Sequence, residues 1–417
     1  MTGSGTRTTG SDDTDGPAPA HALSGGTTLL FAAASGAAVA NVYFAQPLLA
    51  TLGREFGIGS AAVGVVVTLT QVGYGLGLFL LVPLGDLLDR RLLVVTQLAL
   101  LAAALVATGT ASTAPVLLGA LTGVGFLAVV TQTLVAFAAS LSVPDRRGRT
   151  VGLVTSGIVI GILLARTVSG ALADLAGWRS VYLVPAALTS VLALALFRVL
   201  PRRPTPPAPM RYARLLRSTL LLFVEERLLR VRGLLALLVF AAFSTLWSCV
   251  ALPLSEPPLS LSHTAIGAFG LAGAAGALAA APAGRLHDRG LAGWTTGVAL
   301  ALLAVSWLPL ALVRHSLWAL VIGAVLLDLA VQAVHVTNQS MIYTTRPDAG
   351  SRLIGGYMVF YSVGSATGAV ASTAVYGMAG WGAVCALGAA ISALALLVWA
   401  ATRRGTAPAR TVGAPTG

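Results

Sequence analysis

Apolar residues occur along this chain in blocks of about 20, broken by short polar loops. At 1.5 Å of rise per residue, a helix of that length matches the hydrocarbon thickness of a bilayer. The blocks fall at 28–51, 61–84, 92–111, 115–140, 150–173, 180–199, 233–255, 264–284, 292–312, 317–342, 353–377 and 381–401. They predict an all-α membrane protein of twelve transmembrane helices. The longest polar interruption, 200–232, carries Pro201, Arg202, Arg203, Pro204, Pro206, Pro207 and Pro209 and reads as a linker. It parts a six-helix bundle over 27–199 from a second over 233–402. Its later portion, with Arg214, Arg217, Glu225, Glu226, Arg227 and Arg230, suits a helix lying on the membrane surface. Residues 1–26 are polar and rich in Gly, Thr and Asp, which predicts a disordered tail without the charged start of a signal peptide; 403–417 form a second tail.

The polar loops repeat. Gly85-Asp86-Leu87-Leu88-Asp89-Arg90-Arg91 aligns with Gly284-Arg285-Leu286-His287-Asp288-Arg289-Gly290 at an offset of 199 residues, and Pro83 with Pro282. Pro144-Asp145-Arg146 aligns with Pro347-Asp348-Ala349, Arg149 with Arg352, and Gly177-Trp178 with Gly380-Trp381, all at an offset of 203. One half is a diverged copy of the other, which predicts pseudo-symmetric bundles. Such duplicated bundles point to a transporter whose halves rock around a site between them.

Composition narrows the class. The chain is 56% hydrophobic and 10% charged, with a mean hydropathy of +0.87, more apolar than soluble domains at about half. A net charge of +12 would suggest nucleic acid for a soluble protein, but all 26 basic residues are arginine and nearly all lie in loops. With loops assigned alternately, 22 arginines fall on one side, three (Arg54, Arg179, Arg314) on the other, and Arg166 inside a span. That bias places both termini and the linker on the cytoplasmic side of a bacterial inner membrane, with the bilayer rather than nucleic acid as partner. The only cysteines, Cys249 and Cys385, lie in apolar runs, so no disulfide, metal or other cofactor is expected.

The loop Gly-x-x-x-Asp-Arg, with its weaker second copy, resembles the signature of the major facilitator superfamily, and the resemblance covers 28–402. It implies that fold and a conformational latch for the outward-open state, formed by Gly85, Asp89 and Arg90, with Gly284, Asp288 and Arg289 as its repeat. Asp89 suits the positive N-terminus of a neighbouring helix and the arginines suit lipid headgroups. The fifth span, with Gly157, Gly161, Ser169-Gly170 and Gly177-Trp178-Arg179, is similar to the glycine-rich helix of the family's antiporters, but Ala165-Arg166 stands where that motif has Gly-Pro. The fourth span reads Gly119-Ala120-Leu121-Thr122-Gly123 and lacks the Arg-x-x-Gln-Gly of drug antiporters, so their proton relay does not carry over. Asn41-Val42-Tyr43-Phe44-Ala45-Gln46-Pro47 looks closest to bacterial efflux members of the family.

Arg166 and Asp328 are the clearest ionisable groups inside spans. Each costs about 2.5–3.5 kcal/mol at a helix centre. At 1.5 Å per residue they lie about 10 and 15 Å below the outer face, within an arginine's reach. Two readings stay open: a breakable ion pair tied to protonation or substrate entry, and a static or separately hydrated pair. Asp328, Gln332, His335 and Gln339 make a polar stripe on one face of the tenth span, with Asn338 beside it. Such a stripe belongs on a wet central cavity rather than in lipid. His335 corresponds to Gln132 by the repeat; an imidazole there is either a second candidate for proton coupling or a histidine hydrogen-bonded within its own half. Asn41, Tyr43 and Gln46 are expected on the opposite wall, and Tyr357 and Tyr361 on the eleventh span suit either stacking on a substrate or packing in the core.

The glycine runs around Gly73–Gly77, Gly270–Gly276 and Gly355–Gly368 read as small-residue packing faces rather than nucleotide loops. Trp178, Trp294, Trp307, Trp318 and Trp381 suggest an aromatic belt. No catalytic constellation emerges, so no enzyme is expected. These features together predict a monomeric, proton-gradient-driven antiporter exporting a small, largely apolar organic compound by alternating access. Sugar-like uptake or facilitated diffusion is the runner-up in transport, and a non-transporting membrane sensor the alternative of another class.

Overall fold

A computed structural model describes residues 24–142, 144–201, 212–273, 282–283, 285–286, 289–345 and 350–402. In the first half these form α1 (Gly25–Ala40), α2 (Leu49–Glu55), α3 (Val65–Leu80), α4 (Arg90–Gly109), α5 (Ala114–Ala128), α6 (Val130–Leu141), α7 (Pro144–Ala176) and α8 (Ser180–Val199). After α9 (Tyr212–Glu225) the second half holds α10 (Arg227–Trp247), α11 (Ala251–Ser255), α12 (His263–Ala268), α13 (Ala292–Val305), α14 (Trp307–Leu310), α15 (Leu317–Thr345) and α16 (Gly350–Thr402).

Nine helical segments among the described residues are long and apolar enough to cross a membrane. One of them, Leu353–Thr402, is two spans joined back to back: Gly380 adopts φ 73°, a region open to glycine, and turns the chain over. Gly177, its repeat mate, does the same between α7 and α8 with φ 77°. The Gly-Trp pairs of the repeat are therefore hairpin corners. In each, the tryptophan packs inward: Trp178 against Phe56 and Tyr182, and Trp381 by donating to the Leu310 carbonyl at 2.8 Å.

The first span of each half, expected to be continuous, is broken instead. Asn41 ends α1 by turning its amide back to the Ala37 and Ala38 carbonyls, and the chain resumes as a short turn at Gln46–Leu48 before α2. The corresponding break in the second half falls between Trp247 and Ala251. A freed backbone group at membrane depth needs a partner from its neighbours. Ser169 supplies one, donating to the Phe44 carbonyl at 2.7 Å.

Glycine sets how closely the helices approach. Gly73 and Gly77 of α3 meet the Thr122 and Phe126 carbonyls of α5, and Gly125 of α5 meets that of Thr70. Gly157 and Gly161 of α7 meet the carbonyls of Ala32 and Gly36 in α1. Gly364 and Gly368 of α16 lie on the backbone of Leu237 and Ala241 in α10, whereas Gly355 meets nothing. With lipid as apolar as the helices themselves, close packing of this kind is what drives association.

Two expectations need correction. Among the five tryptophans expected at an aromatic belt, only Trp294 and Trp318 are exposed; Trp178, Trp307 and Trp381 are buried, because each has a packing site or an N–H acceptor inside the protein. Arg232, counted with the linker arginines, lies in α10 and is buried, donating from Nη1 to Thr296 at 3.4 Å and Asn338 at 3.3 Å.

Overpacking a tight helix contact costs typically about 1–3 kcal/mol. Gly125→Leu is therefore expected to lower the detergent melting temperature clearly, while Gly119→Leu, where a Cβ meets nothing within 4 Å, leaves it near wild type. Thermal unfolding of the two purified variants checks this.

Candidate functional site

A cavity of about 420 Å³ lies between the halves. The first half lines it with Val39, Val42 and Tyr43, Tyr74 of α3, Thr131, Gln132 and Val135 of α6, and α7 from Val151 to Arg166. The second half contributes Phe240 and Phe243 of α10, Gly273, the α15 stripe of Asp328, Gln332, His335 and Gln339, and Ile354, Met358 and Tyr361 of α16. The stripe thus faces the cavity and not lipid. Gln132 and His335, equivalent in the repeat, stand on opposite walls.

The deep end holds the charges. The break after α1 brings Gln46 to α7, where its Oε1 accepts from Arg166 Nε at 2.6 Å. The guanidinium carbon sits over three rings: Trp247 at 4.2 Å, Tyr43 at 5.2 Å and Phe243 at 5.7 Å. Ring faces attract a cation, and more so when water is excluded. Asp328 lies at the edge of the same indole and accepts from Trp247 Nε1 at 3.1 Å. The ion pair weighed from the sequence is not formed; among the ion pairs of the described residues Arg166–Asp328 does not occur. Trp247 serves both groups and holds them apart.

Other predicted residues divide between wall and support. Tyr361 lines the cavity, and its hydroxyl is 2.7 Å from that of Tyr43, joining the two halves. His335 Nδ1 lies 2.9 Å from the Tyr357 hydroxyl, with its ring edge-on to Phe240 at 5.1 Å. Tyr357 is fully buried behind the histidine and does not reach the cavity, so of its two readings core packing holds and stacking does not. Asn338 is turned into its own half, where it accepts from Arg232, and Asn41 caps its own helix; neither lines the cavity. Gln46 acts through Arg166 rather than on the wall.

At the arginine-rich end, Asp89 caps its own helix α4, accepting from the Leu92 N–H at 2.8 Å, rather than a neighbouring helix as expected. Arg90 Nε donates to the Gly85 carbonyl at 2.9 Å, closing the loop. Arg91 donates to the Phe197 carbonyl and stacks on its ring, tying α4 to the end of α8. Of the repeat, Arg289 is exposed, while Gly284 and Asp288 lie outside the described residues.

The opposite end is shut by two seams between the halves. Along α7 and α12, Gly170 packs on the His263 carbonyl, Gly267 on the Arg166 carbonyl, and Thr167 donates to the Gly267 carbonyl at 3.1 Å. His263 is held from both sides, with Nε2 2.8 Å from the Thr51 hydroxyl and Nδ1 2.7 Å from Asp174 Oδ1. The other Asp174 oxygen accepts from the Thr264 N–H at 2.7 Å, capping α12 from across the interface. Along α3 and α16, Gly64 packs on the Ala369 carbonyl and Thr68 donates to that of Ala366 at 2.9 Å. The cavity lies below these seams and extends to Val151 and Ile354, towards the arginine-rich end.

Sequence reasoning missed Trp247, Phe243, Tyr74 and the Thr51–His263–Asp174 cluster. A tryptophan at mid-membrane depth, away from span ends, was one available signal; a histidine in a short loop between spans was another.

The sequence profile described as Major Facilitator Superfamily matches residues 29–290 and 233–416. The chain is 46% identical to the uncharacterized transporter YgaY of Escherichia coli O157:H7, over 91% of this chain and 96% of that one. It is 33% identical to the probable transporter SCO4007 of Streptomyces coelicolor, over 89% and 86%. Among solved structures it resembles a bacterial homologue of the human lysosomal transporter Spinster in an inward-facing, occupied conformation, with TM-score 0.72 and 15% identity, covering 91% of this chain and 96% of that one.

A side chain added within a backbone seam must force it apart. Gly267→Leu is expected to hold this end open, raising labelling of a cysteine placed at Thr167 by a water-soluble maleimide several-fold over the same cysteine with Gly267 intact. Unchanged labelling would mean the seam is not the gate.

Proposed function

This chain belongs to the major facilitator superfamily, and from that premise we propose that it exports a small, largely apolar organic compound across the bacterial cytoplasmic membrane in exchange for protons. It is a transporter of that superfamily. The observation that carries the finer reading is the cavity between the halves, mostly apolar, closed at one end by backbone seams and bearing one carboxylate at its deep end. In this reading the arginine-rich end is cytoplasmic, so the compound enters from the cytosol while the seams are shut. Rocking of the halves parts the seams and exposes Asp328 to the outside. A carboxylate reached from the two sides in turn is a natural proton carrier, and His335 is a second acceptor lower on the same helix.

The loop around Asp89 has a place in that cycle. Its hydrogen bonds join the ends of α3 and α4 into a rigid corner. In the opposite conformation such a corner is positioned to close the cytoplasmic mouth.

Inverted vesicles test the proposal. With an inside-acid gradient, they are expected to accumulate the transported compound, and collapse of the gradient releases it. Asp328→Asn is expected to reduce gradient-driven accumulation at least tenfold while leaving the protein folded. Accumulation indifferent to the gradient in the wild type would rule out proton exchange.

A further inference from the structure

The deep end of the cavity presents two opposite charges that do not satisfy each other. Arg166 is 4% exposed and spends one donor, Nε, on Gln46. Its Nη2 is buried without any hydrogen-bond partner, and among the described residues Nη1 has none either. Asp328 is 6% exposed and uses Oδ1 on Trp247; among the described residues its Oδ2 accepts no hydrogen bond and lies on the face next to Gly273, where a Cβ would come within 2.5 Å of it. A buried guanidinium with idle donors is unfavourable unless something completes it. The three rings around Arg166 offset part of that cost, but they are not hydrogen-bond acceptors in its plane.

Trp247 fixes the spacing. One guanidinium lies over its face and one carboxylate at its N–H edge, so the two charged groups stand apart by more than ion-pair distance yet share one side chain. The space beyond them is mostly apolar, bounded by Val39, Val42, Ile158, Ile162, Phe240 and Val331, with Gln132, Gln332 and His335 further along its walls. The natural complement is a molecule with an anionic group, a cationic group a few bonds away, and an apolar body.

We propose that the transported compound is a zwitterion of amino-acid type with an apolar side chain, its carboxylate held by Arg166 and its ammonium by Asp328. This rests on the transport reading above and specifies its substrate class. A forked guanidinium suits a carboxylate, offering two parallel donors. A zwitterion fills both charged positions without adding net charge to the membrane interior, which a simple anion or cation does not. The proton and the ammonium then compete for one carboxylate. That is the arrangement exchange requires: a proton arriving on Asp328 releases the ammonium, and the arriving ammonium displaces the proton.

Binding is measured directly on purified protein in lipid nanodiscs, independently of transport, by equilibrium dialysis. The probes are an apolar amino-acid panel including phenylalanine, with 3-phenylpropanoate and 2-phenylethylamine as analogues carrying one charge each. At least one zwitterion is expected to bind tenfold or more tightly than its two single-charge analogues. Asp328→Asn is expected to remove the advantage over the anion but to leave anion binding within about threefold. Arg166→Met is expected to remove the advantage over the amine. Should Arg166→Met fail to fold, Gln46→Glu keeps the arginine and supplies an internal carboxylate at its side, and zwitterion binding is expected to fall at least tenfold. Equal binding of zwitterion and analogues, or no binding of any zwitterion in the panel, overturns the proposal. Zwitterion binding without gradient-driven accumulation would instead uphold it while refuting proton exchange.

Discussion

Two helices can touch backbone to backbone only where no Cβ intervenes, and that constraint decides which end of this protein is closed. At the end away from the arginine-rich loops, Gly170, Gly267 and Gly64 each rest on a carbonyl of the opposite half. The contacts are short and geometrically specific, and hydroxyls of Thr167 and Thr68 add hydrogen bonds across the same seams. Seams of this sort suit an interface that must form and separate repeatedly. They hold by fit more than by buried apolar area, which lipid matches on either side. The polar cluster of Thr51, His263 and Asp174 then fixes register at the rim.

Beneath the seams the broken first helices perform a second task. A continuous helix hides its backbone and directs side chains by a fixed period. The interruption after Asn41 releases Gln46 from that period and sends it to Arg166, and the interruption after Trp247 leaves the indole between arginine and aspartate. Irregular backbone at this depth is tolerated because it borders a cavity and finds partners such as Ser169.

Much of this was legible in the sequence, for physical reasons. Hydrophobic blocks and the Gly-x-x-x-Asp-Arg repeat give the all-α membrane fold, because length and polarity are set by the bilayer. The α15 stripe of Asp328, Gln332, His335 and Gln339 could be placed on the cavity because no other environment tolerates it. What stayed hidden depends on contacts between distant segments. The period of an apolar run does not reveal that it breaks at Asn41, so Gln46 was assigned to the wall. An apolar tryptophan carries no mark of pairing with Asp328, so Trp247 went unnoticed, and the joining of an arginine and an aspartate through a shared indole was not among the readings weighed. Tyr357 and Asn338 were assigned by helical face, yet each is captured by a neighbour within its own half, His335 and Arg232 respectively.

Arg166 occupies an unusual double position. Its side chain borders the cavity, while its main-chain carbonyl is the surface on which Gly267 rests and its Cβ and Cδ are what Gly270 would strike. Whatever draws on the guanidinium therefore leans on a hinge stone of the closure itself. Cavity wall and closure thus share one residue, with no relay between them. Separating the two would require moving one of them to a different helix.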